Sequence, residues 1–213
     1  MTKKLFWENP YQTSHDTTVA RVDGTDITVQ STIFYAFSGG QESDQGSIGG
    51  YPVLSARKDG LALVYTLPEG HGLVVGDSVR MYIDWDRRYR LMRLHFAAEL
   101  VLELICRSLD GVEKIGAHIA QDKARIDFAW PESLAPKLPA YAAEANQIIG
   151  ADLAITSAFA DEPNERRYWE IPGFSRVPCG GTHIRRTGEV EPIHLKRNNI
   201  GRGKERVEIY LKS

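Results

Sequence analysis

The sequence predicts an α+β protein in two parts. A small β-barrel-like domain is expected over residues 1–84, followed by an α+β domain over residues 85–213 that carries one long helix. Short runs of β-branched and aromatic residues, separated by turn dipeptides, fill the first part. Residues 87–109 then contain neither glycine nor proline, and their apolar residues recur at helical spacing.

The first 84 residues are expected to form six short strands. Asp23-Gly24 and Asp59-Gly60 stand between strands and are dipeptides typical of hairpin turns. Several short strands at this spacing predict a small barrel. The predicted strands are Val19–Val22, Ile27–Gln30, Ile33–Phe37, Tyr51–Ala56, Leu61–Thr66 and Val79–Ile83.

A long amphipathic helix is predicted from Arg87 to Leu109. Asp84 or Asp86 precedes it, and either carboxylate can cap the helix by accepting hydrogen bonds from its first free amides. The apolar residues of the helix follow one another at steps of three or four positions, which places them on one face. They are Leu91, Leu94, Ala98, Leu102, Ile105 and Leu109.

The rest of the chain is predicted to alternate strands with one further helix. This helix runs from about Pro131 to Ile149, and Pro136 and Pro139 confine its regular part to the later half. Residues 172–188 are predicted to be a loop. The predicted strands are Val112–Ala120, Ala124–Ala129, Leu153–Phe159, Arg167–Ile171, Pro192–Asn198 and Glu205–Leu211.

Composition and charge favour a protein of the reducing cytoplasm. The net charge of −2 argues against binding nucleic acid through bulk charge alone, although local basic patches are compatible with it. No apolar run approaches the roughly 18–20 residues that cross a bilayer, so no membrane partner is expected. The first residues lack the apolar segment of a secretory signal. Cys106 and Cys179 lie in unlike sequence contexts, which argues against a disulfide.

Four side chains in two places form a candidate metal site. His95 and Glu99 are four residues apart on the long helix, so they project from the same face. Cys179 and His183 lie far downstream, in a Cys-Gly-Gly-Thr-His segment whose glycines are expected to let the backbone turn tightly. A mixed set of nitrogen, oxygen and sulfur donors suits zinc better than magnesium or calcium.

Each half of this set also has a simpler interpretation. His95 in a leucine-rich helix can be a hydrogen-bonded core residue, and Glu99 can pair with Arg93 or Arg107. The Cys-Gly-Gly-Thr-His segment can be a turn around a buried thiol. The combination of both halves in one chain is what favours the metal site.

Three motifs occur in order along nearly the whole chain. They lie within Thr32–Gly46, which contains Gly39-Gly40-Gln41, within Asp84–His95, and within Val177–Val190, which contains the Cys-Gly-Gly-Thr-His segment. The motifs resemble the glycine-rich motif, the HxxxH helix and the CGGTH motif of the freestanding alanyl-tRNA editing proteins. That family is related to the editing domain of alanyl-tRNA synthetase.

The resemblance implies a fold, an activity and a partner. The fold is an N-terminal β-barrel-like part followed by an editing core with a metal-bearing helix. The activity is hydrolysis of the ester that joins a wrong amino acid, serine or glycine, to the tRNA for alanine, with a bound zinc ion. The partner is that mischarged tRNA, and no synthetase activity is expected within 213 residues.

Two motifs depart from the family pattern. The glycine-rich motif reads Ser38-Gly39-Gly40-Gln41 instead of three glycines, and the helix differs at two positions. Where the family usually has a second histidine on the helix, this sequence has Glu99, and where it has a threonine, this sequence has Phe96. A carboxylate oxygen can bind zinc as an imidazole can, or Glu99 can act as a general base and leave three protein ligands with an open position. Phe96 places a bulky apolar group where a small hydroxyl residue is usual, which affects the amino-acid preference.

The resemblance also suggests further site residues. Thr182 is a candidate catalytic residue, or it fixes the loop through its hydroxyl. Gln41 is a candidate substrate ligand, or a turn residue that binds its own loop. Phe96 is a third candidate contact for the substrate. The backbone amides around Gly180 to Thr182 are expected to contribute to stabilising the developing oxyanion.

Several other polar residues are candidates for structural or binding roles. Asp44 is interpreted as a turn former, and His118 as a spare metal ligand or a hydrogen-bonded histidine. Clusters of basic residues are expected to contact tRNA phosphates, or to be solvated faces balanced by nearby carboxylates. They are Arg87, Arg88, Arg90 and Arg93; Arg185 and Arg186; Lys196 and Arg197; and Arg202, Lys204 and Arg206.

Two other functions are compatible with the same residues. One is a related metal hydrolase that acts on a different aminoacyl-tRNA or on a small ester. The other is a non-catalytic, zinc-containing module that binds tRNA, in which four protein ligands close the metal coordination.

Overall fold

The structure, a computed structural model, describes residues 2–212 and has the predicted α+β class. Helix α1 is Trp85–Ser108 and helix α2 is Leu138–Gly150. Within the described residues neither helix is both long enough and apolar enough to cross a membrane. The strands are β1 Lys3–Lys4, β2 Ser14–Asp23, β3 Asp26–Val29, β4 Ser31–Thr32, β5 Gly46–Ile48, β6 Tyr51–Pro52, β7 Ser55–Asp59, β8 Ala62–Thr66, β9 Ser78–Ile83, β10 Glu113–Ile119, β11 Ala124–Ala129, β12 Thr156–Asp161, β13 Arg166–Ile171, β14 Ser175–Pro178, β15 Ile193–Asn199 and β16 Lys204–Leu211.

The chain forms two compact units. The N-terminal unit contains the chain up to Ser38 together with Glu42–Arg90, and the C-terminal unit contains Gly39–Gln41 together with the chain from Leu91 onward. Three residues of the glycine-rich motif therefore belong to the second unit. The boundary between residues 84 and 85 stays a prediction.

The N-terminal unit is built on an antiparallel sheet in the order β6-β5-β9-β2-β3-β8-β7. The long strand β2 pairs with β9 along its first half and with β3 along its second half, so it joins the two ends of the sheet. Closure into a barrel stays a prediction. One face of the sheet buries a cluster of apolar side chains, which includes Ile27, Phe34, Ile48, Tyr65 and Met81.

The predicted strand Ile33–Phe37 is wrong, since only the two residues before it form a strand, β4. Side chains, rather than a neighbouring strand, bind its backbone groups. The amide of Tyr35 donates to Oδ2 of Asp44 at 2.6 Å, and the carbonyl of Ile33 accepts from Arg88 at 2.6 Å. Buried backbone groups need a partner, but that partner need not be a strand.

The predicted strand Tyr51–Ala56 is interrupted and becomes β6 and β7. The chain changes its hydrogen-bonding partner at this point: the amide of Val53 donates to Gly46, and the amide of Leu54 donates to Thr66. Each short strand therefore pairs with a different neighbour, β5 or β8.

The C-terminal unit contains two antiparallel sheets, in the orders β10-β11-β16-β15 and β12-β13-β14. The helix predicted over residues 87–109 is confirmed, and the side chain of Asp84 accepts a hydrogen bond from the amide of Arg87 at its start, as a cap does. The second helix occupies the later half of its predicted range. The loop predicted over residues 172–188 is wrong in part, because it contains strand β14.

A buried ion pair organises the N-terminal unit. The side chains of Arg88 and Asp44 are both fully buried and paired. Arg88 Nε donates to Asp44 Oδ1 at 2.7 Å, and its guanidinium also donates to the carbonyls of Pro10 and Ile33. Asp44 is thus the counter-charge of a buried cation as well as a turn residue. Arg88 is removed from the basic residues expected to contact phosphate, because its charge is out of reach of solvent.

We expect Asp44→Ala to lower the free energy of unfolding by about 3–5 kcal/mol, because Arg88 would be left buried without a counter-charge. The matched control is Asp23→Ala, which breaks the exposed pair with Arg21 and should cost less than about 1 kcal/mol. Urea-induced unfolding of both variants measures the difference. Equal losses would contradict the prediction.

Candidate metal centre

The long helix contributes a histidine whose two ring nitrogens both have partners. His95 lies on the buried side of α1 and is 4% exposed. Its Nε2 lies 3.3 Å from Sγ of Cys179, and its Nδ1 lies 2.5 Å from Oε1 of Gln41. A carbonyl oxygen accepts, so Nδ1 carries the proton of this hydrogen bond, and Nε2 is the nitrogen that faces the thiol.

The sheet β12-β13-β14 positions Cys179. Strand β14 ends one residue before it, and the Cys179 amide donates to the carbonyl of Arg167 on β13 at 2.9 Å. The thiol is therefore held at the end of a strand rather than in a freely moving loop. Both Cys106 and Cys179 are free, as expected.

His183 completes a group of three donors. It is 3% exposed, its Nδ1 lies 3.0 Å from the hydroxyl of Ser157, and its Nε2 is buried with no hydrogen-bond partner among residues 2–212. The ligand atoms of His95, Cys179 and His183 all lie within 4.8 Å of one another. Sequence reasoning named these three residues, and the structure brings them together.

This group fits a metal ion by its donor chemistry. A metal-binding histidine commonly offers one nitrogen to the ion while a protein group holds the other nitrogen. Gln41 holds His95 and Ser157 holds His183 in this way. Nε2 of His95 then faces the Cys179 thiol, and Nε2 of His183 is left without a hydrogen-bond partner among the described residues. The unpaired, buried Nε2 of His183 would otherwise carry the cost of a lost hydrogen bond. Imidazole nitrogen and thiolate sulfur are donors that can bind a transition metal ion.

The charges within the group favour the thiolate. Burial by itself raises the pKa of Cys179, but the positive charges of His95 and His183 lower it to about 6. Burial likewise lowers the pKa of His95, and the thiolate and the Glu99 carboxylate raise it above its usual value. The thiolate is the form of cysteine that binds metal ions. The protonated ring of His95 balances the negative charge of this thiolate.

Glu99 lies beside this group rather than within it. Its Oε1 is 3.7 Å from Nε2 of His95, and its Oε2 accepts a hydrogen bond from Nε1 of Trp169 at 3.2 Å. Burial by itself raises the pKa of Glu99, but His95 and Trp169 lower it to about 2, so the carboxylate is charged. The alternative pairings with Arg93 and Arg107 are not formed, because those side chains bind Val190 and Phe174.

Gln41 ties the glycine-rich motif to both parts of the site. It is fully buried, and its Oε1 accepts from His95 and, at 3.3 Å, from the amide of Thr182. Its Nε2 donates to the Thr182 hydroxyl at 2.9 Å. Both side chains thus bind protein groups. The Thr182 amide is occupied as well, so it is removed from the amides expected to stabilise an oxyanion.

The two glycines of the motif differ in their surroundings. A Cβ atom on Gly181 would lie 1.9 Å from Cε1 of His95, whereas a Cβ on Gly180 would meet no atom within 4 Å apart from its chain neighbours. Neither glycine has a φ angle in the left-handed region. The chain nevertheless bends at Gly181, so the turn does not depend on the left-handed conformation that glycine allows. Gly181 is required because the His95 ring packs directly against the backbone.

Two candidates from the sequence, Phe96 and His118, are not among the three donors. Phe96 is fully buried and packs its ring against Trp169, with centroids 5.1 Å apart, and more distantly against His183. His118 lies on β10 and does not belong to the group of three donors.

Sequence reasoning missed Ser157 and Trp169. The two residues are opposite each other in the pairing of β12 with β13, and they bind His183 and Glu99 respectively. The sequence placed both residues in predicted strands. It did not predict the strand register that brings them to the site.

Known proteins match this chain along its whole length. Residues 167–208 match the family described as the threonyl and alanyl tRNA synthetase second additional domain. The alanyl-tRNA editing protein AlaX-M of Pyrococcus horikoshii is 35% identical, over 99% of this chain and 98% of that protein. The AlaX-M protein of Saccharolobus solfataricus is 30% identical over the full length of both.

A longer relative matches as well. The alanine–tRNA ligase of Staphylothermus marinus is 32% identical over 97% of this chain, which corresponds to 26% of the ligase. The fold, the Cys-Gly-Gly-Thr-His segment and these matches define a protein related to part of an aminoacyl-tRNA synthetase. More particularly, the chain belongs to the alanyl-tRNA editing protein family.

We expect Gly181→Ala to displace the His95 ring and to lower the free energy of unfolding by about 1–3 kcal/mol, the usual cost of overpacking a core. Gly180→Ala is the matched control, because its Cβ meets open space, and it should change stability by less than about 0.5 kcal/mol. Urea-induced unfolding measures both. If the two variants behave alike, the packing of His95 on Gly181 does not constrain the site.

Proposed function

We propose that this protein hydrolyses the ester of mischarged tRNA for alanine and releases serine or glycine, with a zinc ion held by His95, Cys179 and His183. Membership of the alanyl-tRNA editing family supports the tRNA substrate. The observation that supports the zinc site is the arrangement of the two imidazoles, whose Nδ1 atoms are held by Gln41 and Ser157. Nε2 of His95 faces the Cys179 thiol, and Nε2 of His183 has no hydrogen-bond partner among the described residues. An aminoacylated tRNA as substrate also favours hydrolysis in the cytoplasm.

The helix α1 acts as the metal-bearing element in this proposal, since it carries His95 and Glu99 one turn apart. Three protein donors leave one position of a tetrahedral ion open, as in catalytic zinc sites. When bound, zinc supplies Lewis acidity, which polarises the ester carbonyl and lowers the pKa of a water toward about 7.

Glu99 is proposed to act as the general base and not as a fourth ligand. The group of three donors forms without it, and its Oε1 lies at the edge of that group, 3.7 Å from Nε2 of His95. Oε1 is the carboxylate oxygen on the side of the three donors, so it is placed to accept a proton from the attacking water. Its Oε2 is occupied by Trp169 and takes no part in the transfer.

Gln41 and Thr182 are proposed to position His95 rather than to bind the substrate directly. Both are buried and bind each other, and Gln41 fixes the Nδ1 proton of the histidine. Gly180 is exposed and has open space around it, so the substrate has room at this position. Phe96 is proposed to shape the amino-acid side of the site through its contact with His183.

A surface of the C-terminal unit is proposed to contact tRNA phosphates. One face of the sheet β10-β11-β16-β15 carries a set of charged side chains that we call the basic sheet face. Lysine and arginine side chains on this face lie beside two carboxylates, and such cations can contact the phosphates of an anionic partner. These residues are Lys123, Arg125, Lys196 and Arg206, with Asp127 and Glu208.

Lys196 is the best candidate for a phosphate contact on the basic sheet face. Arg125 and Arg206 both bind Asp127, and Lys123 binds Glu208. Lys196 is exposed, lies opposite Glu208 in the strand pairing and makes no described ion pair within the face.

The central prediction concerns deacylation. We expect the protein to release serine and glycine from mischarged tRNA for alanine faster than buffer does, and to leave correctly charged alanine in place. Cys179→Ala should slow this release by at least about 100-fold, since losing a ligand costs more than losing an outer partner. Removal of zinc by chelation should have the same effect, and added zinc should restore activity.

Release of neither serine nor glycine would contradict the proposed substrate. Hydrolysis of another aminoacyl-tRNA or of a small ester would then identify the related hydrolase. Zinc and tRNA binding without any hydrolysis would identify a binding module.

The tRNA surface can be tested by salt-dependent binding. We expect Lys196→Ala to weaken tRNA binding and to reduce the slope of log affinity against log salt concentration by about 1, as one lost phosphate contact does. The control, Lys58→Ala, removes an equally exposed charge from β7 and should leave the slope unchanged. Equal effects in the two variants would exclude a specific role for the basic sheet face.

A further inference from the structure

Trp169 contacts both residues at which the long helix departs from the pattern it resembles. Phe96 and Glu99 are three positions apart on α1, so they project from one face of the helix. The side chain of Trp169, on β13, is fully buried against that face. It packs on the ring of Phe96 and donates a hydrogen bond to Glu99. One side chain thus joins the two substitutions.

The hydrogen bond distinguishes the two oxygens of the Glu99 carboxylate. Nε1 of Trp169 donates to Oε2 at 3.2 Å, while Oε1 lies 3.7 Å from Nε2 of His95. A carboxylate can rotate about its last torsion, which is broad and roughly two-fold. Because the indole N–H holds Oε2, the oxygen that faces the three metal-ligand candidates is Oε1.

The ring of Phe96 holds the indole in turn. The two ring centroids are 5.1 Å apart at an interplanar angle of 69°, an edge-to-face contact. Aromatic pairs of this geometry contribute beyond their buried area. The same Phe96 ring also lies edge-on to His183, with centroids 6.4 Å apart. One face of α1 therefore holds the indole of Trp169 by an aromatic contact as well as by a hydrogen bond.

We propose that Trp169 is the positioning residue for Glu99, and that it commits the carboxylate to act through Oε1 alone. This inference rests on the proposed function for the identity of the step that Glu99 performs. In this scheme Trp169 contacts neither the three metal-ligand candidates nor the substrate. It acts by holding Oε2, and Phe96 acts by holding Trp169.

The pairing is not a general consequence of burying an indole in this protein. The Nε1 atom of Trp130 is also buried, yet it has no hydrogen-bond partner among the described residues. An unpaired indole N–H is thus tolerated at one site, while at Trp169 the N–H meets a charged acceptor. Hydrogen bonds to charged groups are the stronger class.

The first test removes the N–H and keeps an aromatic ring. We expect Trp169→Phe in the full-length zinc protein to lower kcat for seryl-tRNA deacylation by about 10-fold or more, in the range seen for outer partners of a metal site. KM and the zinc affinity, measured by chelator competition, should stay within about two-fold, because no ligand changes. Trp130→Phe is the matched control and should leave all three unchanged.

A double-mutant cycle separates positioning from packing. In a Glu99→Ala background the effect of Trp169→Phe on the residual rate should disappear, because the carboxylate that it positions is absent. The proposal is overturned if the effect of Trp169→Phe persists undiminished in that background, or if Trp169→Phe and Trp130→Phe behave alike.

A spectroscopic measurement keeps the test independent of turnover. The indole N–H resonance of Trp169, assigned by its loss in Trp169→Phe, should move in Glu99→Ala, while that of Trp130 should not. A Trp169 resonance that does not move would overturn the positioning role. If the wild type lacks deacylase activity but the resonance moves, the proposed function fails and the pairing of Trp169 with Glu99 stands.

Discussion

The ring of His95 is the point on which the candidate site depends. Each of its nitrogens binds a residue that is distant in the sequence, since Gln41 lies 54 positions before it and Cys179 lies 84 positions after it. The backbone of Gly181 packs against the same ring so closely that a methyl group would overlap it. A buried imidazole without partners would destabilise the fold, so these contacts stabilise the unit and shape the site at the same time.

The same constraint applies to the buried pair of Arg88 and Asp44. Both side chains are fully buried and neutralise each other, and Arg88 also donates to backbone carbonyls. Charges in such surroundings are tolerated only when paired and hydrogen-bonded. In the candidate site His95 and His183 lower the pKa of Cys179 and so favour its thiolate, the form of cysteine that can bind a metal ion.

A carboxylate at position 99 changes what the helix can offer. An imidazole there would present a neutral nitrogen, whereas Glu99 presents a charged oxygen beside His95 and needs a donor for its second oxygen. Trp169 supplies that donor. The Phe96 ring packs against both the indole and His183, so one side chain from the sheet contacts both helix residues that depart from the resembled pattern.

The sequence by itself determined the α+β class, the long helix and the three donors His95, Cys179 and His183, while it left the helix cap open between Asp84 and Asp86. These follow from local periodicity and from donor chemistry, which are written in neighbouring residues. The strand predicted after Thr32 was wrong. This segment has the composition of a strand, but its amides bind side chains such as that of Asp44.

Only the tertiary structure decided the roles of Gln41, Ser157, Trp169 and Gly181. Gln41 reads as a turn residue until its amide is seen between His95 and Thr182. Ser157 and Trp169 reach the site through the register of two strands, and register depends on pairing partners that no local pattern specifies. The need for glycine at position 181 arises from a ring that lies far away in the sequence. Contacts between distant segments are set by packing, and packing is a property of the folded chain.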